Sequence, residues 1–116
     1  MRPHYKLEAW KSSILLVDLI YSATKCFPKE ELFGLTSQMR RAAVSVSSNI
    51  AEGAARNSSA EFANFLNIAK GSLSELETQV IISNRQNYIE DIGELMNLIG
   101  KVSSQLSGLY KSIKAH

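Results

Sequence analysis

Cysteine is nearly missing from this sequence. Its 116 residues hold one, Cys26, so no disulfide can form within the chain. A chain of this length buries roughly two thirds of its unfolded surface, which suffices for one core without staples. The expected setting is a reducing cytoplasm, with Cys26 as a small hydrophobe near a helix end. Proline occurs only at Pro3 and Pro28, both at natural element boundaries. Alternation of apolar and polar residues is almost absent, which argues against strands. Long apolar runs are lacking too. Ile14-Leu15-Leu16-Val17 is stopped by Asp18, with no small-residue cleavage site after it, so neither a membrane span nor a leader is expected. Neither charge sign dominates: 13 Lys and Arg face 11 Asp and Glu, a net +2. That balance does not announce nucleic acid by itself.

The equipment of catalysis is also scarce. His4 and His116 stand at opposite ends of the chain, in segments read as mobile, and neither lies in a motif. There is no HExxH, no glycine-rich phosphate loop and no paired cysteine ligands. Di-metal helical bundles need Glu-x-x-His motifs. Here Ala55 follows three residues after Glu52, and Thr78 three after Glu75. The expectation is no enzyme, no metal and no cofactor.

What is present is helical periodicity. The fold class predicted is all-α, a single-domain, antiparallel up-down-up-down four-helix bundle over residues 1–116, with helices at about 5–26, 37–55, 58–84 and 88–113. In the first, Leu7, Trp10, Ile14, Val17 and Tyr21 make one stripe, and Leu15, Leu16, Leu19 and Ile20 widen it. A helix buried on one side needs only about a 100° stripe, so this one is expected to pack on two sides. Phe27-Pro28 ends it, because the residue before proline is pushed out of the helical region. Thr36 or Ser37 is the expected N-cap of the second helix, whose core stripe is Met39, Ala43, Val46, Ile50 and Ala54. Ser58 and Glu61 have capping-box spacing before the third helix. Its residues Phe62, Leu66, Ala69, Leu73, Leu76 and Val80 alternate steps of four and three. Asn84 to Asn87 read as a turn. The fourth helix is expected to turn Ile92, Met96, Ile99, Leu106 and Ile113 inward.

The second helix carries more polar groups than its apolar content leads one to expect. Arg41, Ser45, Ser48 and Glu52 are spaced four, three, four, with Asn49 beside them. Serine is not a strong helix former, so a solvated face would more naturally carry Lys and Glu. Small residues instead let another backbone approach. The third helix offers a matching face through Asn64, Ile68, Gly71, Ser72 and Glu75. Antiparallel pairing about Arg56-Asn57 brings Arg41 level with Ser72, predicts an enclosed Arg41–Glu75 ion pair and sets Asn49 near Asn64. The polar stripe Arg41, Ser45, Ser48, Asn49, Glu52, Ser72 and Glu75 is thus read first as a register device. Arg40 sits off both apolar stripes and is expected to point to solvent.

QMRRAAVSVSSNIAEG, then Arg56, Ser58, Glu61-Phe62, Phe65-Leu66, Ile68-Ala69 and Gly71-Ser72-Leu73-Ser74-Glu75-Leu76-Glu77, resembles the small four-helix-bundle proteins often encoded in intervening sequences of bacterial 23S ribosomal RNA genes. Trp10 and the stretch from Phe27-Pro28 to Glu31-Leu32-Phe33-Gly34-Leu35-Thr36 fit the same pattern. That family is similar in fold to the accessory variability proteins of diversity-generating retroelements, homopentamers that bind nucleic acid beside a reverse transcriptase. The resemblance implies a homo-oligomer, a pentamer, for this chain. A ring of five would multiply the net charge and strengthen its pull on phosphate.

The leading expectation is therefore a non-catalytic oligomer that binds RNA or DNA, or a nucleic-acid-processing partner, with no membrane involved. Arg40, Arg41, Arg56 and Lys70 are the candidate contacts, and Lys101, Lys111 and Lys114 form a looser second set. The alternative is a protein-interaction scaffold without nucleic acid.

Overall fold

The computed structural model describes residues 1–115; His116 lies outside the described residues. Four α-helices are present among them: α1 (Glu8–Thr24), α2 (Leu35–Ala54), α3 (Ser59–Arg85) and α4 (Gly93–Lys114). Single 3-10 turns stand at Pro3–Lys6 and Lys29–Glu31. No described residue is in a strand. The helices form a rod measuring 46 × 24 × 23 Å. Each packs on its neighbours in order and α4 returns to α1, while no Cα pair within 8 Å links α1 to α3 or α2 to α4. The seams run in opposite senses. Ser13 meets Ser47 while Thr24 meets Arg40, and Gly53 lies against Phe62 while Met39 meets Ser83.

Local chemistry accounts for the helix boundaries. Ser58 caps α3 as its spacing predicts: Glu61 N donates to Ser58 Oγ at 3.1 Å, and Ser58 Oγ donates to the Glu61 carboxylate at 3.2 Å. Just past the end of α3, Asn87 is held at φ 64°, a left-handed conformation that asparagine tolerates. Tyr88 N then donates to Ser83 O at 2.9 Å, closing the helix end. Asn84 and Arg85, expected in the turn, are still helical.

α2 starts earlier than expected, with Gly34 rather than Thr36 or Ser37 at the cap position. The capping oxygen comes from upstream. Glu31 Oε1 accepts from Leu35 N at 3.1 Å, while Glu31 Oε2 accepts from Tyr88 O–H at 3.0 Å. One carboxylate thus fastens the start of α2 to the α3–α4 turn. The bond to Glu31 also raises the Tyr88 phenol above its ordinary pKa. α4 starts later than expected. Asn84 Nδ2 donates to the carbonyls of Ile89 and Glu90, and Asp91 Oδ1 accepts from Gly93 N at 2.8 Å. Those bonds hold residues 88–92 in a non-helical loop.

The core is continuous from Ala9 to Leu106, with Leu16, Ile20, Met39, Ile50, Leu66 and Leu76 fully enclosed. The α2 and α3 stripes lie in it as expected, apart from Phe62 and Ala54, which are half-buried. α4 adds Leu95 and Val102. α1 is rotated from the expected stripe. Its buried line is Ala9, Ser13, Leu16, Ile20 and Thr24, while Ile14, Leu15 and Tyr21 are exposed. Small Ala, Ser and Thr side chains let α2 come close, and an apolar count cannot find them.

Candidate nucleic-acid interface

The polar residues of α2 serve three different surfaces. Toward α1, Ser47 Oγ donates to Ser13 Oγ at 2.9 Å, and Ser13 Oγ donates to Trp10 O at 2.7 Å. This buried relay satisfies two hydroxyls inside the core, where an unpaired one would cost about 1–3 kcal/mol. Toward α3, Ser45 and Ser72 share a hydrogen bond of 2.9 Å. Asn49 Nδ2 donates to Ser45 O at 2.8 Å and Ser45 Oγ at 3.0 Å. No hydrogen bond joins Asn49 to Asn64, and Ser48 is exposed. Ser47, unmarked in the sequence pattern, is the buried serine.

Arg41 and Glu75 stand on the same side of the bundle and line one narrow groove with Gln38, Ala42, Ser45 and Ser72. Both are exposed, and no ion pair joins them among the described residues. The α2–α3 register is shifted by one turn from the expected one: Gly53 packs on Phe62 and Phe65, and Ser45, one turn beyond Arg41, meets Ser72. That shift sets Arg41 level with Glu75, but on an exposed edge of the seam, where the two side chains are not enclosed.

Arg40 also differs from expectation. It is half-buried and reaches across to the end of α1. Its Nε donates to Thr24 Oγ1 at 2.9 Å, and Nη2 lies 3.5 Å from Tyr21 O. Its guanidinium covers the Tyr21 ring at 4.6 Å. α1 has no basic residue in its own last turn, so Arg40 supplies the cation that a helix C-terminus favours.

Arg40 and Arg41 nevertheless line one open groove of about 640 Å³ between α1 and α2. Tyr21, Leu32, Phe33 and Val44 complete its apolar part, and no carboxylate lines it. Phe33 is 92% exposed. Cations beside exposed rings are the pattern that holds unpaired nucleotides: phosphates meet arginine and bases stack on aromatics.

The other candidates lie apart from this groove. Arg56 follows α2, about 24 Å along the rod from Arg40 at 1.5 Å per residue. It pairs with Glu52 at 3.8 Å and covers the Phe65 ring at 4.7 Å. Lys70 lies over the Tyr110 ring at 5.3 Å and shares the α3–α4 groove with Glu77. Lys101 lines an α1–α4 groove rich in acid, with Asp18, Asp91 and Glu94. Lys111 and Lys114 are exposed in the last turn of α4. Cys26 is exposed just beyond α1. His4 packs its ring against those of Tyr5 and Trp10, with centroids 4.7 and 4.9 Å away.

The family model described as 23S rRNA-intervening sequence protein matches residues 5–108. The chain belongs to that family. The matched span takes in α1, α2 and α3 whole and most of α4, so the groove with Arg40 and Arg41 falls within the family's shared part. No curated protein matches the chain. No described helix is long and apolar enough to cross a membrane.

Proposed function

We propose that this chain is a non-catalytic, self-associating helical bundle of the cytoplasm that binds RNA, alone or within a nucleoprotein, through α2. The observation that carries this reading is the α1–α2 groove, in which exposed Arg41 and the Arg40 guanidinium stand beside exposed Tyr21 and Phe33 with no carboxylate. The family's name, which refers to ribosomal RNA, supports RNA as the polymer. Self-association rests on the wide apolar surface of α1. Ile14 and Leu15 stay exposed after the four helices have packed, Leu15 by 56%. The family resemblance supports a pentamer, for which light scattering is expected to give a mass five times that of one chain.

The test is an anisotropy titration of a labelled structured RNA and a matching DNA duplex, at low and physiological salt. Affinity for RNA is expected to fall steeply with salt, as phosphate contacts dictate. Arg41→Glu is expected to weaken it about tenfold, the scale of one lost and reversed phosphate contact. Arg41 is the informative position because it makes no fold-holding contact, whereas Arg40 does. Absence of binding at low salt would rule the reading out. A protein-interaction scaffold would then lead, with Phe33 and Leu32 as its exposed anchors.

A further inference from the structure

Two open grooves flank α1, and their charges are opposite. The groove toward α2 holds Arg40 and Arg41 with no carboxylate. The groove toward α4, of about 770 Å³, sets Asp18, Asp91 and Glu94 against one cation, Lys101. Those three carboxylates are exposed, and neither they nor Arg41 nor Lys101 has an ion pair among the described residues. Both grooves also carry apolar side chains: Leu32 and Phe33 stand in the first, and Leu15, Leu19 and Leu98 in the second. Leu15, Leu32 and Phe33 are each more than half exposed. Large apolar side chains gathered at a groove and rimmed by charge mark an interaction site, whereas solvated surface scatters them singly.

The two grooves lie at the same height on the rod. Asp18 and Leu19 border one and Tyr21 the other, within about 5 Å along the α1 axis at 1.5 Å per residue. They open on adjacent faces of the bundle, because α1 packs on α2 and α4 and not on α3. Setting either groove against its own kind would bring like charges together, which excludes a two-fold pairing of equal faces. Setting the cationic groove of one copy against the acidic groove of the next pairs opposite charges. Each such step turns by roughly a quarter turn with little climb, and a head-to-tail contact of that kind closes into a small ring.

We propose that the α1–α4 groove docks the α1–α2 edge of a second copy of this chain, with Phe33 of one copy entering beside Leu15, Leu19 and Leu98 of the next and Arg41 facing Asp18 and Glu94. The α1–α2 groove then has two rival occupants, RNA and a neighbouring copy. A closed ring covers every cationic groove, so RNA binds as copies separate, and assembly sets the fraction of chains competent to bind it. That rivalry rests on the RNA-binding reading above, whereas the contact between copies does not.

The experiment reads mass by light scattering over a concentration series of the full chain. Phe33→Asp blocks the cationic face alone and Leu15→Asp the acidic face alone, both at exposed side chains. Each variant by itself is expected to have the mass of one chain. Mixed in equal amounts they are expected to reach two chains and stop there. The intact α1–α4 groove of Phe33→Asp accepts the intact α1–α2 edge of Leu15→Asp, while the two altered faces, both acidic, repel. Arg41→Glu and Asp18→Lys give a second pair at exposed charges, each expected to lose mass alone and to regain it on mixing. A wild type that stays at one chain, variants that keep the wild-type mass, or mixtures that stay at one chain would overturn the contact and leave the RNA groove in place. RNA is expected to break the wild-type assembly, and Leu15→Asp to bind labelled RNA several-fold more tightly than wild type, since its cationic groove is always open. RNA bound to an intact wild-type assembly would overturn the rivalry. No anisotropy change with any RNA, alongside a mixture of two chains, would remove the RNA reading and support the contact.

Discussion

Gly53→Val is expected to lower the stability of the fold by about 3 kcal/mol, the upper part of the range for overfilling a packed seam. A Cβ at Gly53 would stand 2.8 Å from Phe62 Cδ1, 2.8 Å from Phe65 Cβ and 3.3 Å from Phe62 O. The Phe62 ring can swing away, but the Phe65 Cβ and the Phe62 carbonyl belong to the body of α3. Even Gly53→Ala is expected to destabilise. Alanine gains about 1 kcal/mol over glycine inside a helix, and the clash outweighs it. Gly71 and Gly100 are the controls, since an added Cβ meets nothing within 4 Å at either. Alanine there is expected to stabilise by about 0.5–1 kcal/mol. Urea unfolding midpoints at constant slope compare the variants. If Gly53→Ala raised the midpoint as Gly71→Ala does, the close approach of α2 to α3 would not matter to stability.

Arg40→Ala carries the second large effect, a loss of about 2 kcal/mol and a fall in Tm of roughly 10 °C. The side chain gives Thr24 a charge-assisted hydrogen bond, covers the Tyr21 ring and places a cation at the end of α1. Arg40→Lys is expected to recover little, because a compact ammonium neither stacks as a plane on Tyr21 nor holds its donors in the fixed fork that reaches Thr24 Oγ1 and Tyr21 O together. A double-mutant cycle with Thr24→Ala separates the pair, and coupling below about 0.5 kcal/mol would show that the hydrogen bond contributes nothing. Arg40→Glu would damage fold and groove together, so loss of RNA binding in that variant would not identify a contact.

These two residues mark where sequence reading succeeds and where it stops. Helix number, the Ser58–Glu61 cap and the α3 core are legible because each rests on neighbours in the chain. The small-residue face of α2 is legible as a surface that something approaches closely. Its partners are not, because partnership depends on helix rotation and on an overshoot of one turn. Ser47 and Ser13 leave no periodic trace, since one hydroxyl inside an apolar stripe looks like noise until its mate is seen 34 positions away. The late start of α4 is hidden for the same reason. Asn84 and Asp91 hold the loop by hydrogen bonds that compete with helix formation, and propensity does not register that competition. Arg40 and Arg41 look alike as letters, yet one fastens α1 to α2 and the other is exposed. As for the candidate RNA contacts, sequence supplies the list, and geometry separates it: Arg40 and Arg41 share one groove, Lys70 and Lys101 line two others, and Arg56, Lys111 and Lys114 stand apart from all three.

The α2–α3 seam is the most extensive in the bundle, and a four-residue turn joins its two helices. A hairpin so local in sequence closes with little loss of chain freedom, well before α1 can find α4. Folding should then begin there. Variants at Gly53 or Leu66 would slow refolding, while variants in the α1–α4 seam would mainly hasten unfolding.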